Sequence, residues 1–274
     1  MIIPKLIAGS KETHKSLPAL ANLIVNQFPV NPPSCCFPEQ ILIDRLIRYG
    51  NTTSLPHNNV LNTERAIMLT SNKRLARQIM IENKIHTIGF AKGPPCIIRP
   101  IHHSRGKQFY VCYNSMDITK AMTQLSQRKI SNSYASEIFN KTKEYRIHIT
   151  RDGILAVQEK TRPQINTICW NHRTGSIFNV LRRSDVTVDI LKECNKCLEI
   201  FNLDFGAIDV LLNSTEFVIC EINTAPRLEG YITEKYQNYF SNWLDNNKTY
   251  KITKNNYLVW RNNVTTSTDK NISN

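Results

Sequence analysis

The stretch Phe205-Gly-Ala-Ile-Asp-Val-Leu-Leu212 is followed, four residues later, by Phe217-Val-Ile-Cys-Glu-Ile-Asn-Thr-Ala-Pro-Arg-Leu-Glu-Gly230, and these two runs decide the fold. Each run begins as an apolar, β-branched segment of strand length. The turn-forming residues Asn213-Ser-Thr-Glu216 lie between them. The pattern therefore predicts a β-hairpin whose second strand leads into a Thr-Ala-Pro turn.

Three oxygen-bearing side chains interrupt the apolar character of this hairpin. Glu221 and Asn223 share one face of the second strand, because strand side chains alternate with a period of two. If the loop consists of residues 214–216, Asp209 on the first strand lies directly opposite Glu221. Two carboxylates and an amide in one patch suit Mg²⁺ that is held partly by substrate phosphates. The alternative is an ordinary hairpin with a solvated polar face, although Asp and Asn are poor strand formers.

The length and composition of the chain are those of a globular enzyme. Its 274 residues, of which 41% are hydrophobic and 21% charged, can form one large domain or two to three small lobes. No run of eighteen apolar residues predicts a transmembrane helix, and the apolar start of the chain is too short for a signal peptide. We therefore expect no membrane contact and a cytoplasmic location. Of the eight cysteines, only Cys194-x-x-Cys197 has metal-like spacing, and no second pair matches it, so the cysteines are interpreted as small buried hydrophobes.

The net charge of the chain is +13, which implies attraction to polyanions. The lysines and arginines are scattered and form no block of five, so the sequence does not indicate a dedicated DNA-binding tail. The basic surface could serve nucleic acid, an acidic peptide, or no particular partner.

The run Glu221-Ile-Asn-Thr-Ala-Pro226 resembles the Glu-x-Asn-Thr-x-Pro-Gly signature of the ATP-grasp superfamily. Many members are carboxylate–amine ligases, in which an Asp on one strand and a Glu-x-Asn on the next hold Mg²⁺ at the ATP phosphates. The resemblance implies that Asp209, Glu221 and Asn223 ligate Mg²⁺, with Mn²⁺ as an alternative. The chain departs from the signature at Arg227, where the family commonly has Gly. This Arg either changes the turn or projects into the acceptor-substrate pocket.

Two upstream segments resemble the phosphate-binding parts of the same family, in the expected order. Lys73 begins a predicted helix, similar to the one whose Lys reaches the α-phosphate. Two strand-like runs over 96–113 then bracket a short basic loop, similar to the loop that folds over the triphosphate. The resemblance implies that Arg99, in place of the usual Lys, and Ser104 and Gly106 bind phosphate. Without the resemblance, the segment is an ordinary basic hairpin.

Two further strand-like runs, Ala135–Phe139 and Glu144–Thr150, resemble the nucleoside-binding part of the fold. In the family the backbone of the first run reads adenine, and a carboxylate on the second binds the ribose hydroxyls. The resemblance therefore assigns Glu137 and Phe139 to the adenine contact and Glu144 to the ribose.

Four cations are the candidate catalytic residues: Arg146, Lys160, Arg162 and Arg227. Lys160 and Arg162 lie on one face of a strand predicted over Ile154–Arg162. Cations in such an arrangement can stabilise a transferring phosphoryl group or an acyl-phosphate. The alternative is that these residues form a solvated basic sheet surface.

Apolar spacing predicts the remaining elements. They are helices over Leu17–Phe28, Ile41–Ile47, Lys73–Asn83, Thr119–Gln127, Val186–Phe201 and Tyr231–Leu244, and a strand over Tyr257–Trp260 in a tail whose last dozen residues are expected to be disordered.

The sequence thus predicts an α+β protein with the ATP-grasp fold. Two α+β lobes (68–133 and 134–247) would grip ATP, beside a reduced N-terminal α/β lobe (1–67) and a polar tail (248–274). The implied activity is an ADP-forming carboxylate–amine ligase that uses ATP and Mg²⁺ and forms an acyl-phosphate, with an amino acid or peptide as one substrate and a homodimer as one option. The alternatives are a small-molecule kinase of the same fold and a catalytically weak protein that binds nucleotide or nucleic acid.

Overall fold

The computed structural model describes residues 6–9, 40–43, 46–50, 52, 59–102, 108–165, 167–245 and 250–253, with side-chain surroundings for 46–50, 52, 59–102, 108–165 and 167–243. The chain divides into two compact units, Met68–Thr224 and Met1–Ile67 with Ala225–Asn274. The predicted division into four segments stays a prediction. No described helix has the length and apolar character needed to cross a membrane.

The first unit, Met68–Thr224, contains two antiparallel sheets. The strands of the smaller sheet, in spatial order β6-β5-β7, are β5 (Cys96–Pro100), β6 (Tyr110–Cys112) and β7 (Ser133–Ser136). The strands of the larger sheet, in spatial order β10-β9-β8-β11-β12, are β8 (Lys143–Thr150), β9 (Gly153–Lys160), β10 (Phe178–Leu181), β11 (Phe205–Leu212) and β12 (Phe217–Asn223).

The described helices are α1 (Glu64–Ser71), α2 (Lys73–Glu82), α3 (Ser115–Gln127), α4 (Val188–Phe201) and α5 (Tyr231–Asp245). The side chain of Asn72 caps α2 by accepting a hydrogen bond from the backbone N–H of Leu75 (3.0 Å), and Asn83 follows as its C-cap. The helix predicted from Lys73 to about Asn83 is therefore confirmed, as are the helices that became α3, α4 and α5.

The helix α4 contacts the larger sheet through an apolar stripe with a spacing of three to four residues. Its buried side chains are Ile190, Leu191, Cys194, Cys197, Leu198 and Phe201. The two cysteines are packed in this core as free thiols, and burial raises the pKa of each. Their interpretation as small buried hydrophobes is confirmed.

The turn between β11 and β12 is one residue longer than the three-residue loop considered above. Leu212 pairs with Phe217, so residues 213–216 form the turn. The side-chain Oδ1 of Asn213 accepts hydrogen bonds from the backbone N–H groups of Thr215 and Glu216, both at 2.9 Å. This turn, nucleated by Asn213, sets the pairing register at the start of the hairpin.

A β-bulge then corrects the register at the polar end of the hairpin. Val210 pairs with Ile219, whereas Asp209 pairs with Glu221, so Cys220 is the extra residue on β12. Without the bulge, a four-residue turn would pair Asp209 with Cys220. The predicted pairing of Asp209 with Glu221 is therefore confirmed, but a bulge produces it and not a three-residue loop.

The second unit contains two small sheets and α5. Its parallel sheet, in spatial order β1-β3-β4, consists of β1 (Leu6–Gly9), β3 (Leu46–Tyr49) and β4 (Val60–Leu61). Its antiparallel sheet consists of β2 (Gln40–Ile43) and β13 (Tyr250–Thr253).

The helix predicted over Ile41–Ile47 is wrong, because this segment forms parts of β2 and β3. All four residues of β3 are buried, and a short apolar run that is buried throughout does not reveal its period. The helix predicted over Leu17–Phe28, the loop residues Ser104 and Gly106, and the strand and disorder predicted for the tail lie outside the described residues.

Candidate active site

Asp209 lies at the centre of a buried group of charges on the larger sheet. It is 4% exposed, and its neighbour across the β8–β11 pair is Arg146. The guanidinium donates hydrogen bonds from Nε to Oδ1 (2.7 Å) and from Nη2 to Oδ2 (2.9 Å). Lys160 on β9 places its Nζ 2.8 Å from Oδ2. Two cations from neighbouring strands therefore hold both oxygens of one carboxylate.

A second buried carboxylate extends this group. Glu144 is 5% exposed and pairs through one oxygen with Lys160 and through the other with Lys141. We call these five residues (Lys141, Glu144, Arg146, Lys160 and Asp209) the ion network; it holds three cations and two carboxylates. The structure thus joins Glu144, predicted to bind ribose, to the predicted catalytic residues Arg146 and Lys160.

The pKa values of the network follow from burial and from the pairing. Burial alone would raise the pKa of Asp209, but Arg146 and Lys160 outweigh it and hold this pKa well below its usual range. Burial would lower the pKa of Arg146, and Asp209 instead raises it. The neighbouring His148, with its Nε2 2.9 Å from Oε1 of Gln158, has its pKa lowered to about 4, chiefly by burial. Asp209, Arg146 and Lys160 are therefore ionised at neutral pH beside a neutral imidazole.

Aromatic rings cover the cations of the network. The ring of Phe178 has its centroid 5.2 Å from Cζ of Arg146 and 5.5 Å from Nζ of Lys160. His172 stacks on Phe178 at 4.3 Å, and Lys141 lies 4.5 Å from the ring of Trp170. Sequence reasoning missed this aromatic cover. His172 is exposed, yet it reaches the network through Phe178.

The predicted metal ligands lie together on β11 and β12. Glu221 is opposite Asp209, and its Oε1 accepts a hydrogen bond from Nδ2 of Asn223 at 3.2 Å. No three His, Cys, Asp or Glu side chains converge as a metal site in the described parts of the chain. The donors that do converge are two carboxylates and one amide, which are hard oxygen ligands of the kind Mg²⁺ accepts together with phosphate oxygens. The residues present therefore fit such an ion.

A second cationic group lies in the same unit. Arg77 and Arg99 are 1% and 6% exposed, and their Cζ atoms lie 5.9 Å and 5.3 Å from the ring centroid of Tyr134. We call these three residues the arginine layer. Nε of Arg99 is buried and has no hydrogen-bond partner within the described residues. Neither Arg77 nor Arg99 forms an ion pair with a carboxylate of the described residues. A buried cation with an unused donor fits an anionic ligand such as a phosphate.

Lys73, at the start of α2, lies beside β12, the strand that carries the predicted metal ligands Glu221 and Asn223. Its Nζ donates a hydrogen bond of 2.7 Å to the backbone carbonyl of Ile222, between Glu221 and Asn223. The structure therefore brings this predicted phosphate ligand to the predicted metal ligands.

Glu137 and Phe139 lie in a linker and not in a strand, because β7 ends at Ser136. The predicted strand over Ala135–Phe139 was therefore too long. The backbone N–H of Glu137 donates to the carbonyl of Gly89 at 3.1 Å, and a Cβ on Gly89 would lie 2.6 Å from Oε2 of Glu137. A side chain at position 89 would displace this carboxylate, which is the flexible end of the Glu137 side chain, and the sequence did not reveal the contact.

Two of the predicted catalytic cations do not join the ion network in the structure. The strand β9 ends at Lys160 and not at Arg162, and the Arg162 side chain is exposed. Arg227 belongs to the other unit, where it pairs with Glu229. Alternation along a strand predicted that Arg162 shares a face with Lys160, but β9 ends two residues before Arg162.

A comparison with family models and one with curated proteins return no match. Solved structures do match. The ATP-grasp ligase PsnB complexed with a minimal precursor has a TM-score of 0.62 and 8% identity, over 89% of this chain and 100% of that one. The D-alanine–D-alanine ligase of Bacillus anthracis complexed with ATP has a TM-score of 0.64 and 14% identity, over 88% and 94%. The macrocyclase MdnC of Microcystis aeruginosa MRC, bound with precursor peptide MdnA, has a TM-score of 0.58 and 12% identity, over 87% and 99%.

These matches define the class of the fold: the chain has the ATP-grasp fold. The α+β ATP-grasp architecture predicted from the β11–β12 hairpin and the segments upstream of it is therefore confirmed.

Proposed function

We propose that this protein is an ATP- and Mg²⁺-dependent ligase that joins a carboxylate to an amine through an acyl-phosphate, with release of ADP as the acyl-phosphate forms and of inorganic phosphate as the amine displaces it. One observation carries the proposal. On an ATP-grasp fold, a buried Asp209 held by Arg146 and Lys160 faces the Glu221–Asn223 pair across a β-bulge. This arrangement offers hard oxygen ligands and cations at one place, which a phosphoryl transfer requires.

Nucleotide would be held by residues of both sheets in the Met68–Thr224 unit. Arg99, whose Nε lacks a partner in the described chain, and Lys73 are the phosphate ligands that we propose. In the linker, Glu137 N–H and Phe139 C=O are already bonded, to Gly89 and to the N–H of Lys141. The Glu137 carbonyl and the Phe139 N–H are then the backbone groups proposed to read the base.

Asp209, Glu221 and Asn223 would hold Mg²⁺, and Mn²⁺ as an alternative. When bound, the metal supplies charge neutralisation at the phosphates. In the present geometry Arg146 and Lys160 occupy both oxygens of Asp209. We propose that the two cations turn to the phosphoryl oxygens when nucleotide is present, which frees Asp209 for the metal. In this proposal Lys160 keeps its ion pair with Glu144 while it exchanges Asp209 for a phosphoryl oxygen.

An amino acid or peptide is the substrate class that we propose. Two of the similar structures are described as complexes with a precursor or precursor peptide, and a third is a D-alanine–D-alanine ligase. The net charge of +13 favours an acidic partner in addition. The rival activity, a kinase of the same fold, would form ADP without an amide product.

The test is calorimetric titration of Mg²⁺ with the non-hydrolysable ATP analogue AMPPNP into the wild type and into Glu221→Gln. We expect the variant to bind about tenfold or more weakly, since it loses a charged metal ligand. Glu199→Gln, which changes an exposed carboxylate on α4, is the matched control and should bind like the wild type.

The same instrument tests the exchange of cations. Mg²⁺ alone should bind at least about tenfold more weakly than Mg²⁺ with AMPPNP, because Asp209 is paired internally. Binding of the analogue by Glu221→Gln with unchanged affinity, or no binding by folded wild type, would refute the proposed function. Once binding is established, a screen of carboxylates and amines for ADP and amide products separates the ligase from the kinase.

A further inference from the structure

The edge strand β12 is held by side chains from an earlier segment of the same unit. Three successive donors on residues 73–87 reach three of its backbone carbonyls. The hydrogen bonds run to Ile219 O from Thr87 Oγ1 (2.7 Å), to Cys220 O from Arg77 Nη2 (3.2 Å) and to Ile222 O from Lys73 Nζ (2.7 Å). Backbone pairing adds to them, because the N–H of Ile219 donates to the carbonyl of His86 at 2.7 Å. The strand carrying Glu221 and Asn223 is therefore fixed from outside its own sheet.

Arg77 is the buried member of this set. It is 1% exposed and lies four residues after Lys73, on the same face of α2. Its Nη1 donates to the carbonyl of Ile88 at 2.8 Å, and its Nη2 to that of Cys220. A charge buried without an ion pair to a described carboxylate is costly, and an apolar side chain would fill the space at less cost. The guanidinium of Arg77 connects two separate backbone segments through its two terminal nitrogens, and an apolar side chain cannot make this connection.

The carbonyl that Arg77 holds belongs to the bulge residue itself. The bulge at Cys220 is the feature that pairs Asp209 with Glu221 in spite of the four-residue turn. If the bulge moved or closed, the register would shift by one, and Glu221 and Asn223 would turn to the opposite face of the sheet.

We propose that Arg77 is a positioning residue that fixes the bulge at Cys220 and so holds Glu221 opposite Asp209. The metal-related part of this inference rests on the proposed function, in which these carboxylates hold Mg²⁺. Arg77 touches neither carboxylate through a hydrogen bond within the described structure and acts through the backbone of β12.

Hydrogen–deuterium exchange of the ligand-free protein tests the fixing of the bulge. The variants are Arg77→Met, Arg77→Lys and the control Arg74→Met, which changes an exposed residue on the same helix. Arg77→Met should speed exchange at residues 217–223 by about tenfold or more, while β8 exchanges at the wild-type rate. Arg77→Lys should restore part of the protection, and Arg74→Met should change nothing. Equal acceleration in β8 and β12 would show general destabilisation and overturn the proposal, as would unchanged exchange in β12.

Binding of Mn²⁺, followed by electron paramagnetic resonance at saturating AMPPNP, tests the consequence for the carboxylates. Arg77→Met should bind Mn²⁺ about tenfold or more weakly, whereas AMPPNP binding in EDTA should change by less than about threefold. A merely structural role would leave the Mn²⁺ affinity of the folded variant within about threefold of the wild type, and this result overturns the positioning role. If the wild type itself binds no Mn²⁺ with AMPPNP, the proposed function is refuted, and so is the metal-related part of the role of Arg77. The exchange data then decide alone whether Arg77 fixes the bulge.

Discussion

The ion network and the arginine layer bury their charges in opposite ways within one unit. In the network, Arg146 and Lys160 find carboxylate partners on neighbouring strands. In the layer, Arg77 and Arg99 lie beside an aromatic ring, and each keeps a buried Nε without a partner among the described residues. A network in which every charge has a partner stabilises the fold when no ligand is bound. Arginines with unused hydrogen-bond donors can instead bind a ligand or the backbone. The two groups should therefore respond differently when one member is removed.

The largest expected effect is that of Asp209→Asn on stability. Removing this carboxylate charge leaves Arg146 and Lys160 buried without their shared partner. Breaking a buried pair in this way costs about 3 kcal/mol or more of unfolding free energy. Urea denaturation followed by circular dichroism measures it.

The control for this variant is Asp189→Asn on α4. That carboxylate is 79% exposed and faces Lys192 at 3.8 Å, so its removal should change the unfolding free energy by less than about 0.5 kcal/mol. If Asp209→Asn were as stable as this control, the network would contribute nothing to the fold and the contrast with the arginine layer would be lost.

A smaller effect is expected from His148, the neutral neighbour of the network. Its pKa is lowered to about 4, chiefly by burial, against a reference of about 6.5 in the unfolded chain. The unfolded state therefore binds more protons than the folded state between these values, and stability falls as pH falls through this window. From pH 7 to pH 5 this group alone should remove about 2 kcal/mol.

The variant His148→Asn should flatten this pH dependence between pH 7 and pH 5, because it removes the titrating group from the core. Urea denaturation at several pH values gives the slopes. If the slope of His148→Asn equals that of the wild type, His148 is not buried in its neutral form.

The sequence predicted the parts of the molecule that depend on local order. Period-two alternation placed Glu221 with Asn223 on one strand face, and a three- to four-residue spacing predicted α4. The turn residues at 213–216 marked the hairpin. Each of these signals is contained in a few consecutive residues.

The features that the sequence did not predict depend on contacts between distant segments. The bulge at Cys220 is bonded by Arg77, a residue 143 positions earlier in the chain. The contact of Gly89 with Glu137 has the same character. Burial on both faces concealed the strand nature of β3. Long-range packing leaves no periodic pattern in one sequence, so these features are visible only in the three-dimensional structure.

The smallest expected effect on stability is that of Arg99→Met, which tests the arginine layer. Met has a similar length and removes a buried charge that has no ion pair with a described carboxylate. Burying an apolar chain in its place should change the unfolding free energy by less than about 1 kcal/mol, since the lost contact with Tyr134 and the relieved desolvation oppose each other. The affinity for AMPPNP should nevertheless fall by about tenfold or more, because the unused guanidinium donor is lost. Arg99→Lys, which keeps the charge without the fork, should bind with intermediate affinity. A variant that loses stability and keeps its affinity would show that Arg99 supports the fold, and the layer would then resemble the network.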